Sequence, residues 1–426
     1  MSVPITKTVL PSGITLLVHP MADRHTVSLA VWVRTGARDE PPAWLGITHF
    51  IEHMMFKGTA SRDARAIAAS LESLGGHLDA FTTREQVCYS ARVLAEHLPQ
   101  AVDVLADITC RSRFDAREIE REKSVVKEEI LSYEDNPEEK VADNLSAMLW
   151  GDHALGKPIL GTAASVDRLD HAALCEHFEQ RYRGDQLVIA AAGGLTEDVL
   201  LPLLEKGFST PAGPAPSRDG SPTPHAPSVV HEMRDLQQLY LSLGTRSVSY
   251  SDPRRYAFVV LETLLGGGMS SRLFQAIREE AGLAYSVFSS LDFMRDGGLM
   301  SIHLGVSPDR ARLALGLLRD ELTRIAAEGP TRAEVDSTLQ QLKGSILIAQ
   351  ESTSGRMYHM ARQELYTGRY TGPQEQVERI LAVTRDEVAA IAAEFLAPDR
   401  FSLAALGPAP GGMLGEVDWP VDGIAR

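Results

Sequence analysis

The chain alternates between stretches with the two-residue period of β-strands and stretches with the 3.6-residue period of amphipathic helices. In its first half, a turn over residues 10–13 comes before two strands, two helices follow them, and two more strands complete the series. The predicted strands span 14–18, 26–35, 78–81 and 86–93, and the predicted helices span 45–56 and 64–74.

The second half repeats this order of elements. The pattern predicts strands over 238–245, 284–290 and 299–305 and helices over 254–265 and 271–280. Long amphipathic helices close both halves, over 118–133 and 140–150 in the first and over 308–328 and 332–349 in the second. A shared order of strand, helix, helix, strand and strand indicates that one α+β unit has been duplicated.

A proline-rich segment separates the halves. Residues 209–228 contain six prolines together with Gly and Ser and show no apolar periodicity. Such a segment is typical of a semi-extended linker, because proline cannot continue a helix or donate within a sheet. The predicted division is a domain over 1–208, a linker over 209–228 and a second domain over 229–426.

Composition and charge predict a globular protein of more than one domain that does not bind nucleic acid. With 426 residues the chain is too long for one ordinary core, and 44% hydrophobic with 23% charged residues is typical of a globular protein. The net charge of −15 argues against nucleic acid as a partner, because binding phosphates requires a basic surface. Basic or neutral peptides are compatible with this charge.

The cysteine spacing and the first residues of the chain predict a cytoplasmic protein. Its three cysteines are far apart and lack C-x-x-C spacing, which favours a reducing compartment over a disulfide framework. The first residues, MSVPITKTVLPSG, show no secretory signal pattern, and the longest apolar runs are too short to span a membrane. We therefore expect no membrane association.

The strongest chemical signal is the pentad HFIEH at residues 49–53. On a helix, His49 and His53 stand one turn apart on the same face and can share a tetrahedral zinc ion. Glu52 projects beside them and can act as a general base in metal-assisted hydrolysis. The alternative is chance spacing on a solvated face, but the apolar residues around the pentad indicate a buried helix, where unpartnered ionisable groups would be costly.

A third ligand is expected on another helix. Glu122 and Glu129 are seven residues apart on the predicted helix 118–133 and so share one face. Glu128 and Glu134 lie on other faces and fit solvated surface charges. Spacing alone is weak evidence that Glu129 is the third metal ligand, because helices rich in Glu are common.

The stretch HFIEHMMFKGT, followed downstream by Glu129 in VVKEEI, resembles the pitrilysin/insulinase-type metallopeptidases, the inverted zincins with H-x-x-E-H. Within that family the chain is most similar to short bacterial members and to β-type subunits of the mitochondrial processing peptidase. The resemblance implies one Zn²⁺ per chain, held by His49, His53 and Glu129, with Glu52 as the base. It implies that Glu122 orients a ligand histidine. The implied fold is two homologous domains, each a mostly antiparallel sheet flanked by helices (a metallopeptidase roll), forming half of a clamshell.

Two further segments extend the resemblance. GGHLDAFTTREQVCYSARV is similar to the edge strand that pairs with substrate in this family, which would place Asp79, Ala80 and Phe81 beside the peptide. Without the resemblance this segment would be an ordinary alternating strand. In the second half, the resemblance assigns Arg278 to a substrate carbonyl and Tyr285 to the oxyanion. Without it, they would be a surface charge and a half-buried aromatic residue.

The resulting hypothesis is a zinc-dependent endopeptidase that cleaves peptides or unfolded segments in an enclosed chamber. Full-size insulinase-like enzymes have four such units and this chain has two, so the resemblance implies a second chain, preferably a second copy, with a heterodimer as the alternative. The competing hypothesis is a non-catalytic structural or peptide-holding subunit of the same fold.

Overall fold

The computed structural model describes residues 5–213, 216, 220, 222–223 and 225–409. Two compact units can be distinguished: Met1–Leu131, Lys157–Asp219 and Ile348–Tyr370 form the first, and Ser132–Gly156, Gly220–Leu347 and Thr371–Arg426 form the second. Each unit thus draws on both halves of the sequence. The division at the linker 209–228 stays a prediction, and residues 214, 215, 217–219, 221 and 224 of that linker lie outside the described part.

Each unit is built around one sheet. The strands are β1 Thr6–Val9, β2 Thr15–Pro20, β3 Thr26–Val33, β4 His77–Thr82, β5 Val87–Leu94, β6 Leu187–Gly193, β7 Val229–Glu232, β8 Leu239–Ser247, β9 Ala284–Phe293, β10 Gly298–Val306 and β11 Ser402–Leu406. The first sheet has the order β1-β2-β6-β3-β5-β4 and the second the order β7-β11-β8-β10-β9. Within each sheet one pair is parallel, β2 with β6 and β7 with β11, and the remaining pairs are antiparallel.

The two orders are the same once β1 is set aside. The strands β7, β11, β8, β10 and β9 occupy the places of β2, β6, β3, β5 and β4, and the parallel pair falls at the same place. The predicted α+β class with two similar, mostly antiparallel sheets is therefore confirmed.

Helices cover the faces of both sheets. They are α1 Ile47–Met55, α2 Ala64–Glu72, α3 Leu98–Arg111, α4 Ala116–Asp135, α5 Pro137–Trp150, α6 Ala163–Asp167, α7 His171–Arg181, α8 Glu197–Gly207, α9 Arg255–Gly266, α10 Ala311–Glu328, α11 Arg332–Ala349, α12 Thr353–Thr367, α13 Pro373–Leu381 and α14 Arg385–Phe395. In the part of the chain that the structure describes, no helix combines the length and apolar character needed to cross a membrane.

The first sheet has apolar side chains on both faces, because β3 and β6 are covered on both sides. On one face, Leu29 and Val31 of β3 belong to a core that includes side chains of α1, α2, α3, α7 and α8. On the other face, Ala30 and Trp32 pack with Met357 of α12. The near-continuous apolar run of β3 follows from this burial on both faces.

One predicted helix differs in kind from the observed element. Residues 271–280 were expected to form an α-helix, whereas Phe274–Glu280 is a π-helical segment. Hydrophobic periodicity does not separate the i→i+5 hydrogen-bonding pattern from the i→i+4 pattern over so few residues. Arg278 lies within this π-helical segment, and its role in substrate binding stays a prediction.

Candidate metal centre

The helix α1 carries the predicted pentad, and its apolar side is anchored in the core. Phe50, Ile51 and Met54 are at most 1% exposed and belong to the core of the first unit. The four-residue spacing puts His49 and His53 on one face of α1, and this packing fixes the rotation of the helix and so the direction of that face. Their ring centroids lie 4.5 Å apart.

Glu129 of α4 completes a group of three ligand atoms. Its Oε1 lies 3.7 Å from His49 Nε2, and its Oε2 lies 3.3 Å from His53 Nε2. Ligands at zinc bond lengths of about 2.0–2.2 Å in a tetrahedron stand about 3.4 Å from one another. Among the residues that the structure describes, this is the group of His, Cys, Asp and Glu whose ligand atoms all lie within 4.8 Å. The donor set of two imidazoles and one carboxylate fits zinc and leaves a fourth position open.

Glu122 supports one of the two histidines from behind. Its Oε1 lies 2.9 Å from His53 Nδ1, and Lys57 Nζ lies 2.8 Å from its Oε2. Glu122 is only 1% exposed. When Nδ1–H of His53 donates to this carboxylate, the lone pair of Nε2 is directed away from it, towards Glu129.

The electrostatics of this group favour a bound cation. Burial lowers the pKa of His53, but hydrogen bonds to Glu122 and Glu129 outweigh that effect and raise it to about 9. Burial and the charge on His53 lower the pKa of His49 to about 4. The hydrogen bond to His53 lowers the pKa of Glu129, which keeps this carboxylate ionised. The two ionised carboxylates, Glu122 and Glu129, thus stabilise positive charge at His53. A divalent cation bound to Nε2 can replace the proton there and be stabilised by the same charges.

We expect Glu122→Gln to weaken zinc binding by about 10- to 100-fold, the usual effect of removing a partner of a ligand histidine. The amide cannot provide the ionised acceptor that orients His53. Affinity is measured by competition with a chromophoric chelator. Glu120→Gln is the matched control, because Glu120 lies on the same helix with a side chain 71% exposed and pairs with Lys123. If Glu122→Gln bound zinc as tightly as this control, the role assigned to Glu122 would be wrong.

Glu52 lies beside the ligands, on the same helix. Its Oε2 accepts a hydrogen bond of 2.5 Å from the hydroxyl of Thr82, the last residue of β4. Burial raises the pKa of Glu52, while the bonds to Thr82 and the charge on His53 act in the opposite direction. A raised pKa makes this carboxylate a better proton acceptor, which suits a general base.

The strand β4 lies at the edge of the first sheet. It pairs with β5 on one side, and no other described strand pairs with it, so its outer backbone groups are available to another strand. Asp79 is exposed, Ala80 and Phe81 are half-buried, and the Phe81 ring packs edge-on against Trp32 at 5.5 Å. The charge on Asp79 contributes to the raised pKa of Glu52, so the middle of β4 lies near Glu52. Binding of substrate by these three residues stays a prediction.

Arg278 and Tyr285 lie together in the second unit. The Arg278 guanidinium carbon is 5.0 Å from the centre of the Tyr285 ring and 4.7 Å from that of Phe274. Tyr285 is 82% exposed, although the sequence alone indicated a half-buried aromatic residue. Arg278 and Tyr285 are therefore in contact with each other, as a predicted pair should be. Their roles at the substrate carbonyl and the oxyanion stay predictions.

Residues 17–163 match the family model described as "Insulinase (Peptidase family M16)", and residues 168–342 match the one described as "Peptidase M16 inactive domain". A Mycobacterium tuberculosis protein named an uncharacterized zinc protease is 38% identical over 407 residues, or 94% of this chain and 93% of the relative. A Bacillus subtilis protein with the same description is 36% identical over 399 residues, or 93% and 97% of the two chains.

Solved structures show the same fold. A peptidase M16 inactive domain from Pseudomonas fluorescens superimposes with a TM-score of 0.90 at 22% identity, covering 96% of this chain and 98% of the other. A protease from Helicobacter pylori gives a TM-score of 0.89 at 18% identity, covering 96% and 100%. At these identities the likeness concerns the fold alone.

Proposed function

The chain belongs to the insulinase-type M16 family of peptidases, and we propose that it is a zinc-dependent endopeptidase. One observation carries the proposal: His49, His53 and Glu129 present three ligand atoms at zinc-like separations, with the carboxylate of Glu52 beside them. The relatives named zinc proteases support the same metal and the same reaction.

The chemistry follows from the side chains around this group. Zinc held by His49, His53 and Glu129 would supply Lewis acidity to the attacking water and the scissile carbonyl. Glu52 accepts a proton from the water as its oxygen adds to the carbonyl carbon, and then delivers that proton to the leaving amine nitrogen. Thr82 holds one oxygen of Glu52, which leaves the other oxygen to contact the water.

Peptides would bind by adding a strand to β4. Its free edge offers backbone N–H and C=O groups in an extended row, which bind a peptide with little regard to its side chains. Asp79, Ala80 and Phe81 would lie alongside the residues nearest the scissile bond. Binding in an extended form favours unfolded segments and short peptides over folded proteins.

Two residues of the second unit, Arg278 and Tyr285, would act across a dimer interface on the metal centre of a partner chain. We assign Arg278 to a substrate carbonyl and the hydroxyl of Tyr285 to the oxyanion, since both present donors and lie close together. A second copy of the chain would enclose the chamber, with a related subunit as the alternative partner. The cytoplasm is the proposed compartment, because Cys88, Cys110 and Cys175 are all free thiols.

We expect Thr82→Val to lower kcat for a quenched peptide by about tenfold, the effect of losing one hydrogen bond to a charged group. Without the hydroxyl, the Glu52 side chain loses its fixed orientation. Thr82→Ser keeps the hydroxyl and should retain most of the activity. Zinc content, measured by atomic absorption, should be the same in all three proteins. Equal kcat in Thr82→Val and Thr82→Ser would exclude this role for Thr82.

Metal analysis combined with a peptidase assay separates the proposal from the competing non-catalytic subunit. The purified chain should contain about one zinc per chain and cleave a quenched peptide, and a chelator should remove both the metal and the activity. Restoring zinc should restore cleavage. Bound zinc without any cleavage would favour the peptide-holding subunit, and a chain that takes up no zinc would exclude the enzyme.

A further inference from the structure

The metal-bearing helix α1 lacks an N-terminal cap of its own. Its N-cap residue is Gly46, which has φ of +87° and no side chain to accept from the first turn. A β-carbon at this position would lie 2.5 Å from the Leu160 carbonyl oxygen, so glycine is required. The N–H groups of the first turn must therefore find acceptors elsewhere, since unpaired donors at a buried helix end are costly.

Glu40 supplies these acceptors from a preceding loop. Its Oε2 accepts from Gly46 N–H at 2.7 Å, and its Oε1 accepts from Thr48 N–H at 2.9 Å. Glu40 is 8% exposed and Thr48 is fully buried. Burial raises the pKa of Glu40 to about 8, and its backbone hydrogen bonds act against that rise. A carboxylate in this place also lies at the positive end of the helix dipole.

The loop that carries Glu40 is itself fixed to the hairpin of the edge strand. Arg38 Nη1 lies 2.6 Å from Glu85 Oε1, and both side chains are at most 4% exposed. The backbone N–H of Arg38 also donates to the Arg84 carbonyl at 3.0 Å. Residues 84 and 85 belong to the turn between β4 and β5, so one short loop holds both the metal-bearing helix and the hairpin that carries β4.

We propose that Glu40 is a positioning residue of the metal centre, whose carboxylate fixes the first turn of α1 and thereby the direction in which His49 presents its Nε2. His49 follows Thr48 directly, so a change in the first turn moves this ligand before it moves His53. The proposal rests on the metal site of the proposed function, and none of the three ligands touches Glu40 in the described hydrogen bonds and ion pairs.

The test is the affinity and geometry of the bound metal in Glu40→Gln. The amide keeps one acceptor but turns an NH₂ group towards a backbone N–H, so one donor of the first turn loses its partner. We expect the Kd for Zn²⁺, measured by chelator competition, to rise about tenfold, at the lower end of the effects seen for residues that support ligands. The visible absorption bands of the Co²⁺-loaded variant should shift, because they report the arrangement of ligands around the metal.

Two further variants keep the test decisive. Asp63→Ala removes an equivalent cap from α2, where Asp63 Oδ1 accepts from Ala66 N–H at 2.8 Å, and it should lower the Tm without changing Zn²⁺ affinity or the Co²⁺ spectrum. Glu40→Asp keeps the carboxyl group on a shorter side chain and should raise the Kd above that of the wild type, but by less than tenfold. This variant provides the test if Glu40→Gln does not fold.

The outcomes separate this inference from the proposed function. Wild-type Zn²⁺ affinity and an unchanged Co²⁺ spectrum in the Glu40 variants would overturn the positioning role alone. The same result follows if Asp63→Ala weakens Zn²⁺ binding as much as Glu40→Gln. A wild-type chain that binds no metal would overturn both. Because the readouts are metal binding and absorption, a chain that binds zinc but cleaves no peptide can still confirm the role of Glu40.

Discussion

Glu52→Gln is expected to lower kcat for a quenched peptide by about 10²- to 10⁴-fold, the contribution that a general base makes. The amide matches the carboxylate in size and can still accept from Thr82, but it cannot take a proton from water. Initial rates at saturating peptide, with zinc content determined on the same samples, provide the measurement.

The control for this prediction is the zinc content of the variant. Glu52 is not one of the three ligands, so Glu52→Gln should retain one zinc per chain and the wild-type Tm. Retained zinc with lost cleavage separates the base from the ligands. If the variant cleaved peptides at the wild-type rate, Glu52 would not be the base, and another group would have to be found.

Glu129→Gln should abolish high-affinity zinc binding and, with it, peptide cleavage. A neutral amide oxygen is a much weaker zinc ligand than a carboxylate. The substitution also removes the negative charge that partly balances the charge of the metal ion. The stabilisation by zinc should disappear as well: the wild-type Tm should rise on adding zinc, whereas the variant's Tm should not. Calorimetry with and without zinc measures this difference.

Glu128→Gln is the matched control for the third ligand. Glu128 precedes Glu129 on α4, is exposed and lies outside the metal group. Both substitutions remove one negative charge from neighbouring positions, so a general electrostatic effect would weaken zinc binding equally in both. Only a ligand at position 129 predicts a large loss in one variant and almost none in the other.

Comparison of the second repeat with the first shows which features are specific to the candidate metal centre. Its helix α9 takes the place of α1 in the order of elements, and its sequence RYAFVVLETLLG contains no histidine. It nevertheless keeps a glutamate that accepts from the edge strand: Ser289 of β9 donates to Glu262 Oε1 at 2.8 Å, as Thr82 of β4 donates to Glu52. The contact between acid and hydroxyl is thus common to both repeats, and the histidines distinguish the first.

Several residues of the metal centre could be found from local sequence, because the helix period alone relates them. His49 and His53 are one turn apart wherever the helix lies, and Glu122 and Glu129 share a face for the same reason. Lys57 lies just beyond the end of α1, so the helix period does not apply to it, and its pairing with Glu122 was not predicted. The edge strand was predicted through the resemblance, and its position at the end of the sheet is confirmed.

Other contacts join segments that are distant in sequence, and no local pattern encodes them. Thr82 reaches Glu52 only because β4 ends beside α1, and Glu40 reaches the first turn of α1 only because its loop folds back. The assignment of α12 to the first unit is of the same kind, since Met357 and Met360 pack on β3 and β6 from far along the chain.

The sequence by itself therefore determined the helix of the candidate metal site, the duplicated α+β unit and the candidate ligands. Each of these follows from the order or spacing of residues along the chain or from resemblance to a family. The tertiary structure decided that Glu129 lies beside both histidines, that Thr82 donates to Glu52 and that Glu40 accepts from the first turn of α1. These contacts depend on how α4, β4 and the loop before α1 pack around α1. Packing of this kind is set by the fit of many side chains in the core, and the spacing of residues along the chain does not reveal it.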